Sequence, residues 1–390
     1  MQSLRNKLSN TFNRFFESEK SSGLLLIACT VVSLAIANSS AGPAYLSAWH
    51  LSIAGLSLEH WINDGLMAIF FLMVGLELER EFYSGELSSL RKALLPVMAA
   101  IGGMLAPALI HFSLNNGTAT QAGIGIPMAT DIAFAIGVLA MLGSRIPPSL
   151  KVFVVAFAAI DDLGAAALIA VFYTAQLSVP HLLGAMGVWL LLVGLNRLRI
   201  MALAPYLIGG VIMWVLMLKS GVHATIAGIA LAFAVPFSAK QDDAASPSHK
   251  LEHWLHWPVA YLILPIFALA NTGVIVSEGW QHHLLNDANA LGITLGLVLG
   301  KPLGVMMMCA LAVRLGVCQL PADLRWPHIM GAGLLGGIGF TMSIFITNLA
   351  FAGDAATINE AKMAILLASL NAGVLGYAWL RFATKAATNT

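Results

Sequence analysis

The 390-residue sequence is 58% apolar and only 10% charged, with a net charge of +1 at pH 7 and a mean hydropathy of +0.83. A soluble domain carries about 25% charged residues, so these figures exclude an ordinary soluble fold, and a near-zero net charge leaves no footprint for nucleic acid. Cys29, Cys309 and Cys318 show neither metal-ligand spacing nor a disulfide framework.

Apolar runs of about 17–25 residues, punctuated by Gly, Pro, Asn and charge, predict an all-α polytopic membrane protein formed as one domain over 1–390. The leader 1–22 mixes Glu17 and Glu19 with basic residues. It reads as an amphipathic, surface-lying N-terminus on the cytoplasmic side, ahead of an uncleaved first helix. A signal peptide cut near "NSSAGPA" fits so long and mixed a leader poorly. About twelve spans follow, at 23–38, 59–84, 93–113, 120–143, 150–174, 180–197, 203–218, 221–236, 253–276, 288–312, 327–350 and 357–381. The outer loop 44–58 alternates around Ala54-Gly55 and reads as a short β-hairpin or, equally, as an irregular loop. The polar stretch 237–252 reads as a cytoplasmic loop between two halves. Trp49, Trp61, Trp280 and Trp326 stand near the ends of apolar runs, where interfacial aromatics belong.

Basic residues test the count. With the N-terminus inside, 17 of the 20 Lys and Arg residues fall on the cytoplasmic side, as the positive-inside rule requires. Only Lys219 and Lys362 fall outside, and Lys301 lies within a span. Losing one span would invert every later loop, so twelve spans place both termini in the cytoplasm.

Four charges remain inside the runs: Asp131, Asp161, Asp162 and Lys301. At 1.5 Å per residue Asp161 lies about 15 Å from Lys151, half the thickness of a hydrocarbon core of about 30 Å. Lys301 and Asp131 are each thirteen or fourteen residues from the ends of their runs, so all four converge on the midplane from three segments. A carboxylate there costs about 2.5–3.5 kcal/mol on the gentlest scale, and such groups usually mark substrate or proton pathways rather than structural ion pairs. Three carboxylates face one ammonium. A buried carboxylate lacking a permanent cation sheds its cost by binding a proton, or accepts a small hard cation in its place. Asp161 and Asp162 point about 100° apart on a helix, so one can pair with Lys301 while the other turns towards Asp131.

Two segments make poor continuous helices. "GIGIPMATDIAFAIGV" sets Gly123, Gly125 and Pro127 just before Thr130-Asp131, which favours an unwound stretch lining a cavity. "GAGLLGGIGFTMSIF" packs five glycines into mid-span, where close helix packing through small residues explains them nearly as well as a break. Broken helices expose positive N-ends and negative C-ends, which Asp131 and Lys301 have the right charges to balance. A further cluster, Glu77, Arg80 and Glu81 with Glu252, His253 and His256, falls at the cytoplasmic face. It reads as solvated helix ends or as a pH-responsive funnel mouth, since histidine titrates near neutrality and neighbouring Glu tunes it. His223 is explained nearly as well by simple packing, and Asp64 reads as a surface acid or cavity lining.

"PMATDIAFAIGVLAML", "AAIDDLGAAALIA", "GVHATIAGIALA", "LEHWLHWPVAYLILPIFALANTGV" and "LGKPLGV" resemble the NhaA-type sodium/proton antiporter family over roughly residues 12–381. The resemblance implies an inverted-repeat fold with two broken, crossing helices. It implies secondary active exchange of Na+ (and Li+) for protons in a bacterial inner membrane, surrounded by lipid, with no cofactor beyond the transported ions and no enzymatic activity. Asp162 would be the main ion and proton carboxylate with Asp131 close by, both as Na+ ligands. Asp161 would pair with Lys301, and Thr130 would belong to the unwound crossing. The stretch 45–58 would join two subunits, and the Glu77 to His256 cluster would serve pH regulation. Two rival classes fit less well: an intramembrane aspartyl protease has no use for Lys301 and wants a Gly-x-Gly-Asp element, and an organic-anion transporter wants a free basic group.

Overall fold

The computed structural model describes residues 21–83, 85, 88–173, 177–238, 246–276 and 286–383. The expected amphipathic leader therefore lies outside the described residues except for Ser21 and Ser22, and so do residues 239–245 of the polar stretch.

In chain order the elements are α1 (Ser21–Ala37) and α2 (Gly42–Trp49), then strands β1 (Ser52–Ile53) and β2 (Leu56–Ser57), then α3 (Leu58–Tyr83) and α4 (Leu90–Asn115). A 3-10 segment (Ala119–Met128) precedes α5 (Ile132–Leu142), followed by α6 (Pro148–Phe172), α7 (Val179–Arg197), α8 (Leu203–Ser220) and the short α9 (Ile226–Ala232). Then come α10 (Pro247–Asn271), α11 (Ala288–Arg314), α12 (Trp326–Gly336), α13 (Phe340–Ala350) and α14 (Ala355–Ala383). Among the described residues nine helical stretches are long and apolar enough to cross a membrane, and two bent pairs pass jointly, α1–α2 (118°) and α12–α13 (45°). The run 221–236 is the exception to the sequence count. Only seven of its residues are helical, about 10 Å of rise, too short to span alone. The apolar window of α7 is only 11% buried within the chain. A helix apolar all round and uncovered by protein is solvated by hydrocarbon.

The hairpin forms at the expected turn. Ser52 pairs with Ser57 and Ile53 with Leu56, and Ala54 (φ 53°) and Gly55 (φ 86°) both adopt positive φ, the requirement of a type I′ turn. The first half of the 44–58 loop is helical, however, because α2 runs to Trp49. The 237–252 stretch also gives way early: α10 starts at Pro247, where Ser246 caps the His249 N–H at 3.4 Å and Pro fills the first helical position.

The chain forms two compact units, one comprising residues 1–34, 91–161 and 274–390, the other 35–90 and 162–273. The division falls between Asp161 and Asp162, inside α6. In the second unit α3 packs on α9, with Gly228 against the backbone of Ala68, above a core that includes Leu72, Leu76, Tyr206, Met213 and Leu231. In the first unit α4 and α11 touch backbone to backbone, since a Cβ on Gly102 would lie 2.1 Å from Gly304 O and one on Gly304 2.0 Å from Gly102 O. This contact is three residues from Lys301. Pro302 has no N–H for the Val298 carbonyl, and the helix widens there into a π turn over Gly296–Gly300, a distortion that recurs at functional sites.

Gly304→Ala is expected to lower the thermal unfolding midpoint in detergent, a loss of about 1–3 kcal/mol from overpacking. An unchanged midpoint would mean that the two helices have room to spare.

Candidate functional site

The site is built where two interrupted helices meet in the first unit. After Met128 the backbone leaves the helical region, with Ala129 at ψ 152° and Asp131 at ψ 103°, and α5 begins only at Ile132. α12 stops at Gly336 and α13 starts at Phe340. The second glycine-rich segment is thus both broken and closely packed: a Cβ on Gly333 would lie 2.7 Å from Pro302 Cα, and one on Gly337 2.3 Å from Leu297 O. The two breaks bond to each other. Asp131 N–H donates to Ile338 O at 2.7 Å, and Thr130 Oγ1 lies 2.8 Å from Gly336 O. Non-helical backbone inside an apolar span requires such partners.

Each exposed helix end meets a group of matching charge. Asp131, 3% exposed, answers two N-terminal ends at once. Its Oδ1 accepts from Phe134 N–H at 3.2 Å, capping α5, and its Oδ2 accepts from Thr341 N–H at 3.1 Å and from the Thr341 hydroxyl, at the start of α13. Lys301, fully buried, donates to Met128 O, the carbonyl that ends the 3-10 segment, and pairs with Asp161 Oδ2. Anions belong at helix N-termini and cations at C-termini. Thr130 Oγ1 is also 2.7 Å from Asp161 Oδ2. Its single proton serves either Asp161 or Gly336 O at one time. The Phe157 ring, one turn before Asp161, lies 5.7 Å from Lys301 Nζ, adding a cation–π contact.

Thr130, Asp131, Asp161 and Lys301 are therefore gathered at one crossing. Asp162 follows on α6 and is 1% exposed; it belongs to the second unit. Thr341 and the carbonyls of Met128, Gly336 and Ile338 were not foreseen. Thr341 had a signal, a hydroxyl just past a glycine break in "GIGFT", matching Thr130-Asp131 past "GIGIPMA". The carbonyls had none, because any residue supplies one.

In the second unit the C-terminal end of α3 meets the N-terminal turns of α10. Arg80 Nε lies 3.2 Å from Glu252 and its Nη2 3.9 Å from Glu81. Glu77 sits one turn earlier, half-buried, while His253 is exposed and His256 half-buried one turn past Glu252. Glu79 is a further acid here that sequence reading passed over. It is 5% exposed, and its Oε2 accepts from Ser248 Oγ at 3.2 Å. Its signal was its phase, since Glu79 shares a helix face with the buried Leu72 and Leu76. His223 stands elsewhere. Its Nε2 lies 3.0 Å from Tyr173 O, in the region of Asp64, itself 2.9 Å from His60. Asp64 and Arg80 are sixteen residues apart on α3, about 24 Å.

A family model described as Na+/H+ antiporter 1 matches residues 13–380. The chain belongs to that family. It is 66% identical over 383 residues to the Na(+)/H(+) antiporter NhaA of Dechloromonas aromatica, covering 98% of both chains. It is 56% identical over 384 residues to the Na(+)/H(+) antiporter NhaA 1 of Flavobacterium johnsoniae, covering 98% of this chain and 100% of the relative. Over 391 residues it is 49% identical to the Na(+)/H(+) antiporter NhaA of Mesorhizobium japonicum, covering 99% and 98%. Members of an antiporter family are transporters, so the intramembrane carboxylates are not a hydrolytic pair.

Removing one partner of a buried ion pair leaves the other uncompensated, a loss of about 3–5 kcal/mol. Lys301→Gln is therefore expected to lower the unfolding midpoint sharply, and Lys301→Gln with Asp161→Asn to recover most of it. A double variant no more stable than the single one would show that Lys301 is held mainly by Met128 O.

Proposed function

We propose that this protein is an electrogenic, pH-regulated Na+(Li+)/H+ antiporter that extrudes sodium from bacteria across the inner membrane, serving sodium and pH homeostasis. The observation that carries the reading is the crossing itself: Asp131 buried at a helix break, and Asp161 of α6 buried beside it and paired with a buried lysine, in a chain of an antiporter family. The two units act together as one transporter domain over 1–390, without a cofactor.

Asp162 and Asp131 are the ion and proton ligands. Na+ is a hard cation that takes oxygen donors, and protons use the same oxygens, so the two ligands exclude each other. The Asp131 carboxylate accepts from the backbone N–H groups of Phe134, Thr341 and Ala133, and its two oxygens carry about four lone-pair sites in all, the kind of donor a cation takes. Sodium arriving from the cytoplasm displaces the protons, the loaded site turns outward, and protons reload it. Competition alone couples the fluxes, because neither carboxylate crosses the membrane empty without the cost of a bare buried charge. If two protons leave for each Na+, or Lys301 releases one of them, each cycle moves net charge.

Positive-inside counting supports cytoplasmic termini, with the run 221–236 crossing as the seven-residue α9 together with its non-helical flanks. The stretch 45–58, whose two-stranded hairpin over Ser52–Ser57 is tied to α3 by Trp61 Nε1 donating to Ile53 O at 2.9 Å, is the arm that joins a homodimer in the membrane. The Arg80, Glu81 and Glu252 cluster, with Glu77, His253 and His256 beside it, sets the pH of activation. His223, held by Tyr173 O, belongs to the same response at the other end of its unit.

In everted vesicles loaded with a pH-sensitive dye, NaCl is expected to cause dequenching and KCl not, with the sodium response lost in Asp162→Asn. Equal responses to both salts, or an undiminished Asp162→Asn, would contradict the reading. On a solid-supported membrane a sodium jump is expected to drive a transient current, and exchange without current would refute electrogenic stoichiometry. Glu252→Gln is expected to move the pH of half-maximal activity by about one unit, the usual spread for perturbed carboxylates, with the maximal rate kept; an unmoved profile would remove the cluster from regulation.

A further inference from the structure

A second polar cluster lies inside the first unit. His111, Asn115 and Asn289 are 0%, 0% and 1% exposed. His111 stands on α4 four residues before its end, and Asn289 on α11 twelve residues, about 18 Å, before Lys301. Gly123 of the 3-10 segment closes the cluster, since a Cβ there would lie 3.0 Å from His111 Nε2 and 3.1 Å from Asn289 Oδ1. The cluster therefore packs on the same segment whose far end Lys301 holds.

Asn115 is fully engaged. Its Nδ2 donates to Ala288 O at 2.9 Å and to His111 O at 3.0 Å, and its Oδ1 accepts from Thr120 at 2.7 Å. His111 and Asn289 are not. His111 Nε2 lies 3.0 Å from Asn289 Oδ1. An amide oxygen only accepts, so Nε2 carries the proton and Nδ1 keeps a lone pair. Neither His111 Nδ1 nor Asn289 Nδ2 meets a hydrogen-bond partner. A buried acceptor and a buried donor on paired side chains are what internal water complements, and an ionisable ring in a spanning helix marks a functional position.

We propose that His111 is a proton-relay residue on the outer side of the antiporter, with buried water as the ligand of this cluster and Asn289 as the residue that positions the ring. The inference rests on the exchange and orientation argued above. A proton passed inward from the outer side through the buried water of the cluster bonds to Nδ1, making the imidazolium. That N–H bond then breaks towards a buried water, and the ring returns to its neutral form. The Nε2–H stays on Asn289 throughout, because the amide cannot take a proton. Asp287, the cap of α11, is the charged group whose field reaches the ring. Among the described neighbours the 3-10 segment, Gly292 of α11 and Phe351 add no charge.

The test is exchange in oriented proteoliposomes as outer pH is varied between roughly 5 and 8, the range over which histidine changes charge. His111→Gln keeps a donor but cannot carry a proton. Its rate is expected to fall about tenfold at the alkaline end, a modest share of what positioned proton transfer supplies, with half-saturating Na+ and the thermal midpoint unchanged. Asn289→Leu, which frees the ring from its tautomer, is expected to lose rate in the same pH range. A wild-type profile in His111→Gln, or a loss equal at every pH, would overturn the proposal. Nitrogen-15 histidine spectra of the wild-type protein supply a test that needs no variant to fold: Nδ1 is expected to gain a proton as outer pH falls, and a single neutral tautomer throughout would overturn the relay. Sodium-driven dequenching by the wild-type protein is judged separately, so loss of the relay is distinguishable from loss of the antiporter reading.

Discussion

Breaking two helices inside an apolar span exposes backbone ends that neither lipid nor water can satisfy there. Everything at the crossing follows from that constraint. Asp131 joins the two N-terminal ends through three hydrogen bonds, and Lys301 seals a C-terminal end through Met128 O. The glycines follow from the same need. Gly102 and Gly304 bring α4 and α11 into backbone contact, and Gly333 and Gly337 bring α12 against the Leu297 to Pro302 turn. Without those approaches the lysine could not reach both Met128 O and Asp161.

Lys301 carries one positive charge against three carboxylates, and its ammonium is shared between a carbonyl and Asp161. Thr130 stands between Asp161 and the Gly336 carbonyl with a single proton to give. The hydrogen-bond pattern at the crossing is therefore linked to the charge on Asp161, and through Gly336 to the broken α12. In the proposed cycle a change of proton or cation at the carboxylates reaches the helix breaks directly, because the same atoms serve both.

Much of this was legible in the chain because charge is rare in it. Four midplane charges stand out against an apolar background, and Pro127 with Thr130-Asp131 marks the first break by chemistry that a continuous helix does not need. The second glycine segment was ambiguous for a physical reason: glycine serves both a break and a close approach, and here it does both. The hairpin turn followed from Gly55, while α2 did not, because "GPAYLSAW" has no strong apolar period. α10 began earlier than composition suggested, since the Ser246-Pro247 cap sits in an otherwise loop-like polar stretch. The run 221–236 looked long enough to span, yet Gly221 in the left-handed region (φ 81°) ends α8, and turns up to Thr225 leave only seven residues helical. Carbonyl ligands, and the pairing of His111 with Asn289 across 178 residues, depend on tertiary approach and carry no local pattern.

The central claim is that sodium and protons compete for the same carboxylates. Calorimetric titration of the purified protein with NaCl at several pH values, in buffers of different ionisation enthalpy, tests it most directly. Competition predicts that apparent sodium affinity weakens as pH falls, tenfold per unit for one displaced proton and about a hundredfold for two, with matching proton release into the buffer. A sodium affinity independent of pH, bound without proton release, would contradict the account.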